Sequence, residues 1–283
     1  MKSLFYPLLL ATISTSSISY GDDWSQVAYP DFSESYGSFG TAFGPMFYSI
    51  DAVPYSIQHL VDVSIGAFSL GFSQVVGYSH WFYFELRESF AYGYTFYGTQ
   101  NTGVNYARRF ERGLFFDADA RLFFPFRVAP AQRITLQPFM GFALHQASLK
   151  GKVDAEPATL SSILLMQRYL SPLFGLALGF NPSPKFALRA SLSLHIPEGK
   201  RKLPNQARPE AANYQTLRVQ RHGIGADLLA LMRLTPDWTL TGELDYFTYT
   251  SFPGYVTPTD EPFFFHPHAT SALSVRGGVS YQF

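Results

Sequence analysis

The 283-residue chain has no net formal charge, with 21 basic and 21 acidic residues, and only 15% of it is charged, against about 25% in an ordinary soluble protein. It has 28 Phe, 18 Tyr and no Cys, and its mean hydropathy is zero. These values exclude a nucleic-acid binder with a basic face, a disulfide scaffold and a thiolate metal site, and no cofactor is expected.

The first segment, MKSLFYPLLLATISTSSISYG, places Lys2 ahead of an apolar stretch from Leu4 to Ile13 and ends in small polar residues. This order predicts a secretory signal peptide over 1–21, cleaved after Ser19 or Gly21. The apolar stretch is too short to cross a bilayer as a helix, which needs roughly 20 residues. No other segment reaches that length without charge. Residues 22–35 are expected to form a short segment ahead of the first strand.

From there the chain alternates apolar and polar residues with a period of two, the mark of strands with one apolar face. Strands are expected near 37–50 and 62–76, the first being the least regular. The strand at 82–97 carries Phe82, Phe84, Leu86, Phe90, Tyr92 and Tyr94 on one parity. After a connection at 98–111, residues 114–126 set Leu114, Phe116, Leu122, Phe124 and Phe126 against Asp117, Asp119 and Arg121. A short turn leads to a strand at 134–148. A long connection, 149–168, leads to another at 169–180. The turn NPSPK joins that strand to 186–196, where Leu188, Leu192, Leu194 and Ile196 alternate with Arg189, Ser191, Ser193 and His195. A polar connection, 197–216, precedes the strand at 220–234. The turn Thr235-Pro236-Asp237 has the composition such turns need and leads to 238–249. A connection at 251–270 precedes the last strand, 271–283.

Ten strands result, although the ambiguity of 36–76 leaves eight or twelve open. Short and long connections alternate, so every short turn falls at the end that carries Phe283. The aromatic residues Phe82, Phe126, Phe180, Phe186, Trp238 and Phe283 also fall at that end, on the apolar parity. Loops sorted by length, an aromatic girdle and alternation predict an all-β fold, a transmembrane antiparallel up-and-down β-barrel over 36–283.

The chain finishes RGGVSYQF. Arg276, Gly278, Tyr281 and Phe283 resemble the C-terminal β-signal of Gram-negative outer-membrane proteins: a polar residue, glycine two on, and aromatics at the third-last and last positions. The resemblance implies a small outer-membrane barrel with both termini periplasmic, surrounded by outer-membrane lipid and lipopolysaccharide. It also implies that the barrel-assembly machinery reads the last strand. It names an architecture and not an activity.

On this parity the charges facing the lumen are Glu85, Arg87, Asp117, Asp119, Arg121, Arg189, Asp227, Arg233, Glu243, Asp245 and Arg276. A ten-stranded lumen is narrow, and unpaired charge there is costly, so these residues either form an ion-pair plug or line a polar path. The leading functional expectation is a narrow channel for ions or small solutes. The alternative is a structural or surface-interaction barrel with a plugged lumen and long loops that bind an external ligand. The third and least favoured is an outer-membrane hydrolase using rim residues among His195, His222, Asp245, Asp260, Glu261, His266 and His268. No catalytic motif or metal site is assigned. The external basic stretch GKRKLPNQAR, 199–208, is expected to be a loop able to meet phosphates or an anionic partner.

Overall fold

A computed structural model describes residues 36–56, 59–78, 82–100, 110–129, 134–153, 161–183, 185–204, 214–251, 255–256, 263–264 and 269–283. The expected signal peptide at 1–21 and the expected segment 22–35 lie outside the described residues.

Ten staves form the wall. They are β1 (Tyr36–Ser56), β2 (His59–Tyr78), β3 (Phe82–Gln100), a fourth made of β4 (Phe110–Phe123) and β5 (Phe126–Ala129), β6 (Ile134–Val153) and β7 (Ser161–Ser183). A seventh follows from β8 (Phe186–His195) and β9 (Glu198–Pro204), then β10 (Tyr214–Arg233), β11 (Trp238–Ser251) and finally β14 (Ala269–Gln282). Two short strands, β12 (Tyr255–Val256) and β13 (Phe263–Phe264), pair with each other between β11 and β14. Each stave pairs antiparallel with the next, and β1 pairs with β14 over Ser38–Ile50. The sheet is therefore a closed ten-stranded antiparallel barrel, which leaves no edge strand with unpaired backbone groups. The alternatives of eight or twelve strands are settled in favour of ten.

Alternation sets the two faces of the wall. The outward apolar residues run 170–180 on β7, 186–196 on β8, 224–234 on β10 and 273–283 at the last stave. Each run is eleven residues long, which spans about 25 Å on a strand tilted by roughly 40°. Leu192 and Leu194 are each 64% exposed. Of the girdle residues, Phe82, Phe126, Phe180, Trp238 and Phe283 are exposed on this face and Phe186 is half-buried.

The strands run longer than the alternation predicts. β7 begins at Ser161, inside the expected connection 149–168, and β3 continues to Gln100. The basic stretch expected as a loop is partly strand: β9 pairs with β10 and with β7. Ladder hydrogen bonds continue past the point where the outward face stops being apolar, so apolar alternation marks the belt and not the strand end. The first hairpin is also tighter than expected, with Ser56 opposite His59. Loop length thus sorts by side except at this one connection.

At the turn end, Phe283 and Gly37 exchange two backbone hydrogen bonds, at 2.9 and 3.2 Å. Trp238, Tyr281 and Phe283 follow one another on the outer face, with ring centroids 5.2 and 6.5 Å apart. Gly278 faces inward between Ala42 and Thr241, where an added Cβ would lie 2.7 Å from that of Ala42. Gly277 beside it has open space. Gly278→Val is therefore expected to destabilise the β1–β14 seam by about 1–3 kcal/mol, and Gly277→Ala to leave it unchanged. The fraction of heat-modifiable, folded barrel on unboiled gels distinguishes the two.

Candidate functional site: a charged layer across the lumen

The inward parity of six staves brings charges to one level. Arg87 on β3 extends across the barrel to β10 and β11, with its Nη2 at 3.5 Å from Asp227 Oδ2 and its Nη1 at 3.0 Å from Asp245 Oδ1. Its Nε is 3.3 Å from Asp119. Asp227 and Asp245 sit directly opposite each other in the β10–β11 register, a like-charge pair that destabilises a sheet unless neutralised. Arg87 neutralises both. Arg121 donates to Asp227 at 2.6 Å and lies 2.9 Å from Asp119. Ser191 also donates to Asp227.

Arg189 on β8 crosses the lumen to Glu85 on β3. Its Nη2 donates to both carboxylate oxygens, at 2.9 and 2.8 Å, and both side chains are almost wholly buried. Arg276 on β14 pairs with Glu243 at 3.0 Å and with Asp245. Gly71 makes room for it: a Cβ there would lie 2.7 Å from the Arg276 guanidinium.

Apolar and aromatic groups back the layer on both sides. Toward the turn end, Tyr83 stacks on Phe123 at 4.6 Å and Phe123 meets Phe139 at 4.8 Å, with Leu173 and Ala177 beside them. Arg189 lies 4.8 Å over the Phe123 ring and Arg121 5.3 Å over Phe139. The Tyr83 hydroxyl accepts from Arg189 at 3.2 Å and donates to Gln137 at 2.6 Å. Toward the loop end, His145 is bonded to Asp117, and Tyr48 Oη is 3.1 Å from its Nε2. His145 packs edge-on to Phe247 at 4.8 Å. His195 bonds Ser193 at 2.8 Å and Tyr249 at 3.3 Å.

Two small cavities, of about 90 and 60 Å³, flank the layer, and Arg87 lines both. Each has room for a few water molecules. No group of His, Asp and Glu able to hold a metal is found among the described residues.

Ten of the eleven charges expected in the lumen fall in or beside this layer. The exception is Arg233, which sits at the turn end and donates to the carbonyls of Thr235 and Pro236, so it braces a turn. Of the rim candidates, His195 is buried inside the barrel and Asp245 belongs to the layer. His222 is exposed on the wall, while Asp260, Glu261, His266 and His268 lie outside the described residues. Ser193 and His195 have the spacing of a nucleophile and base. The position that would orient the base is held by the Tyr249 hydroxyl and not by a carboxylate. Sequence reasoning missed Tyr83, Gln137, His145 and Gly71. Their inward parity was readable, but their height in the lumen was not.

Comparison with known proteins adds barrel likenesses only. No family model matches the chain, and no curated protein matches it. Among solved structures it is similar to the translocator domain of the autotransporter NalP from Neisseria meningitidis, with 10% identity, a TM-score of 0.44, and 87% of this chain and 88% of that one covered. It is similar to the outer membrane protein OprG from Pseudomonas aeruginosa, with 9% identity, a TM-score of 0.41, and coverages of 89% and 98%. It is also similar to Ail, the attachment invasion locus protein of Yersinia pestis, with 13% identity, a TM-score of 0.29, and coverages of 87% and 99%. The fold assignment rests on the strand register of this chain itself.

The Glu85–Arg189 pair gives a direct test of how the layer is held. Arg189→Leu leaves Glu85 buried without its counter-ion and is expected to cost about 3–5 kcal/mol. The double variant Glu85→Leu, Arg189→Leu removes both charges and is expected to recover most of that loss. Urea unfolding midpoints in lipid vesicles read the difference.

Proposed function

We propose that the chain is an integral outer-membrane barrel with a plugged lumen, acting through the surface it presents outside the cell and not as an open pore. The observation that carries this reading is the Arg87–Asp227–Asp245 bridge, which joins staves on opposite sides of the barrel within a layer of paired charge. A conducting path lined by charges leaves them facing water. Here the guanidinium groups are spent on neighbouring carboxylates and backed by stacked rings. The plugged alternative is therefore preferred over the narrow channel.

Membrane residence is supported by the outward apolar runs, each of the length a tilted strand needs to cross hydrocarbon. The turn end, with Gly37 and Phe283, is assigned to the periplasmic side, in keeping with its short turns. The loop end is assigned to the outside, where strands such as β7 continue beyond the apolar belt.

One observation favours an anionic partner at that end. The register sets Lys200 of β9 directly between Arg168 of β7 and Arg218 of β10, two residues beyond the exposed Leu170. Such a register brings three basic residues abreast, an arrangement that an anion would stabilise. Glu198, opposite Leu170 and Gln220 in the next row, supplies one negative charge. The level of the row suits phosphate groups of the outer-leaflet glycolipid.

Purified protein in planar bilayers is expected to show no discrete openings, whereas Arg87→Ala with Arg121→Ala is expected to produce small conductance steps. Discrete openings from the unaltered protein would return the channel reading to first place. The triple variant Arg168→Gln, Lys200→Gln, Arg218→Gln is expected to lose salt-sensitive retention of phosphorylated lipopolysaccharide, with folding unchanged on unboiled gels. Equal retention by both proteins would remove the anionic-partner reading.

A further inference from the structure

The charged layer does not balance. Its guanidinium groups are those of Arg87, Arg121, Arg189 and Arg276. Its carboxylates are those of Glu85, Asp119, Asp227, Glu243 and Asp245, so among the described residues one carboxylate is in surplus. Asp117, on the loop side, is bonded to His145. A charged His145 makes that pair neutral, and a neutral one adds a further negative charge, so the surplus is at least one. Arg233 does not answer it. It pairs in register with Thr239, well below Glu243 on the turn side, and is bonded to turn carbonyls.

The surplus has an address. Asp119 is met by Arg87 and Arg121. Asp227 is met by the same two guanidinium groups and by the Ser191 hydroxyl. Glu85 accepts from Arg189 on both oxygens. Asp245 accepts from Arg87 on one oxygen and from Arg276 on the other. Glu243 has one ionic contact, with Arg276 Nη2 at 3.0 Å, and that same nitrogen already donates to Asp245. Among the described residues the Glu243 side chain makes no hydrogen bond.

Two carboxylates on one strand thus share one guanidinium nitrogen. In a space with little water, repulsion and lost hydration both favour holding one of such a pair as the neutral acid. Asp245, with a guanidinium on each oxygen, is the better anion. Glu243 instead faces the turn-side cavity of about 60 Å³, which Ser73, Thr239, Thr241 and Ser280 also line. Hydroxyl oxygens and a few waters there supply acceptors for an acid proton. The other charged groups around that cavity are Glu85, Arg87 and Arg189, each already paired. On β10 its register partner is Leu229, with Asp227 the nearest charge on that strand.

We propose that Glu243 carries a proton at neutral pH, which leaves the layer electrically neutral and makes the plug sensitive to alkali. The proposal rests on a closed, poorly hydrated lumen, which the planar-bilayer recording tests separately.

Infrared spectra of the purified protein in vesicles, in deuterium oxide at neutral pH, are expected to show the carbonyl stretch of a carboxylic acid. Glu243→Gln, which copies the neutral acid in shape, is expected to fold and to lose that band. Urea unfolding gives an independent reading. The unfolded chain releases this proton near the ordinary glutamate value of about 4.3, whereas the folded protein keeps it. The unaltered protein therefore loses stability relative to Glu243→Gln as pH rises above that value, until Glu243 ionises in the folded state. One proton corresponds to about tenfold in the folding equilibrium constant per pH unit. An ionised Glu243 paired with Arg276 gives the opposite sign, with the unaltered protein gaining on the variant as pH rises. That outcome, a flat difference between the two proteins, or the absence of the acid band overturns the proposal. So does a midpoint that differs between potassium and N-methylglucamine chloride at equal ionic strength, because a metal cation then neutralises the surplus.

Discussion

A narrow closed sheet cannot leave a charge alone. Ten staves enclose a lumen little wider than two facing side chains, so an inward arginine meets the opposite wall before it meets bulk water. Burying such a group is tolerable only with a counter-charge and good hydrogen bonds. The arrangement of Arg87, Arg121, Arg189 and Arg276 with Glu85, Asp119, Asp227, Glu243 and Asp245 satisfies that demand by linking opposite staves. The same contacts that make the charges affordable also fill the bore. The interactions that stabilise these charges are thus the ones that cross the bore, and separating them would strand charges that now neutralise each other.

The outer face obeys a different solvent, and the two faces keep different lengths. Outward apolar runs stop after eleven residues, whereas β7 has 23 and β10 has 20. Most of the excess lies at the loop end, where hydrogen-bonded strands rise past the belt. Backbone pairing does not depend on which solvent a side chain meets, so the ladder continues where the apolar pattern ends. That is why the stretch GKRKLP appears from its composition to be a loop and is instead strand β9.

Alternation made the architecture legible, because a period of two reports which face a residue occupies. It assigned ten charges to the inward parity and the aromatic residues to the outward one without any pairing information. It could not report height. Whether Arg87 meets Asp119, Asp227 or Asp245 depends on the register of β3, β4, β10 and β11 and on which staves lie opposite once the barrel closes. Neutral inward groups such as Tyr83, Gln137 and His145 look like ordinary packing until that register is known. Gly71 is legible only as a gap, whose meaning comes from the Arg276 guanidinium that fills it. Arg233 shows the converse: its parity is inward, but its position at a turn gives it backbone carbonyls to bond.

The last stave ties these two problems together. Its outward residues Tyr281 and Phe283 dock against Trp238 and the Gly37 backbone, while its inward Arg276 enters the space over Gly71 and meets Glu243 and Asp245. The ion pairs of Arg276 thus lie across the β11–β14 ladder, and its place over Gly71 reaches past β1 to β2. If β14 peels away from β1 and β11, it breaks a ladder and also leaves Glu243 and Asp245 without Arg276 in a poorly hydrated space. Backbone hydrogen bonds alone would let a seam fray one pair at a time from its end. In the β11–β14 ladder a buried guanidinium shared by two carboxylates resists that fraying, because the residues beyond it cannot open without exposing the whole cluster. The residues that resemble an assembly signal thus include one whose side chain does structural work in the finished barrel.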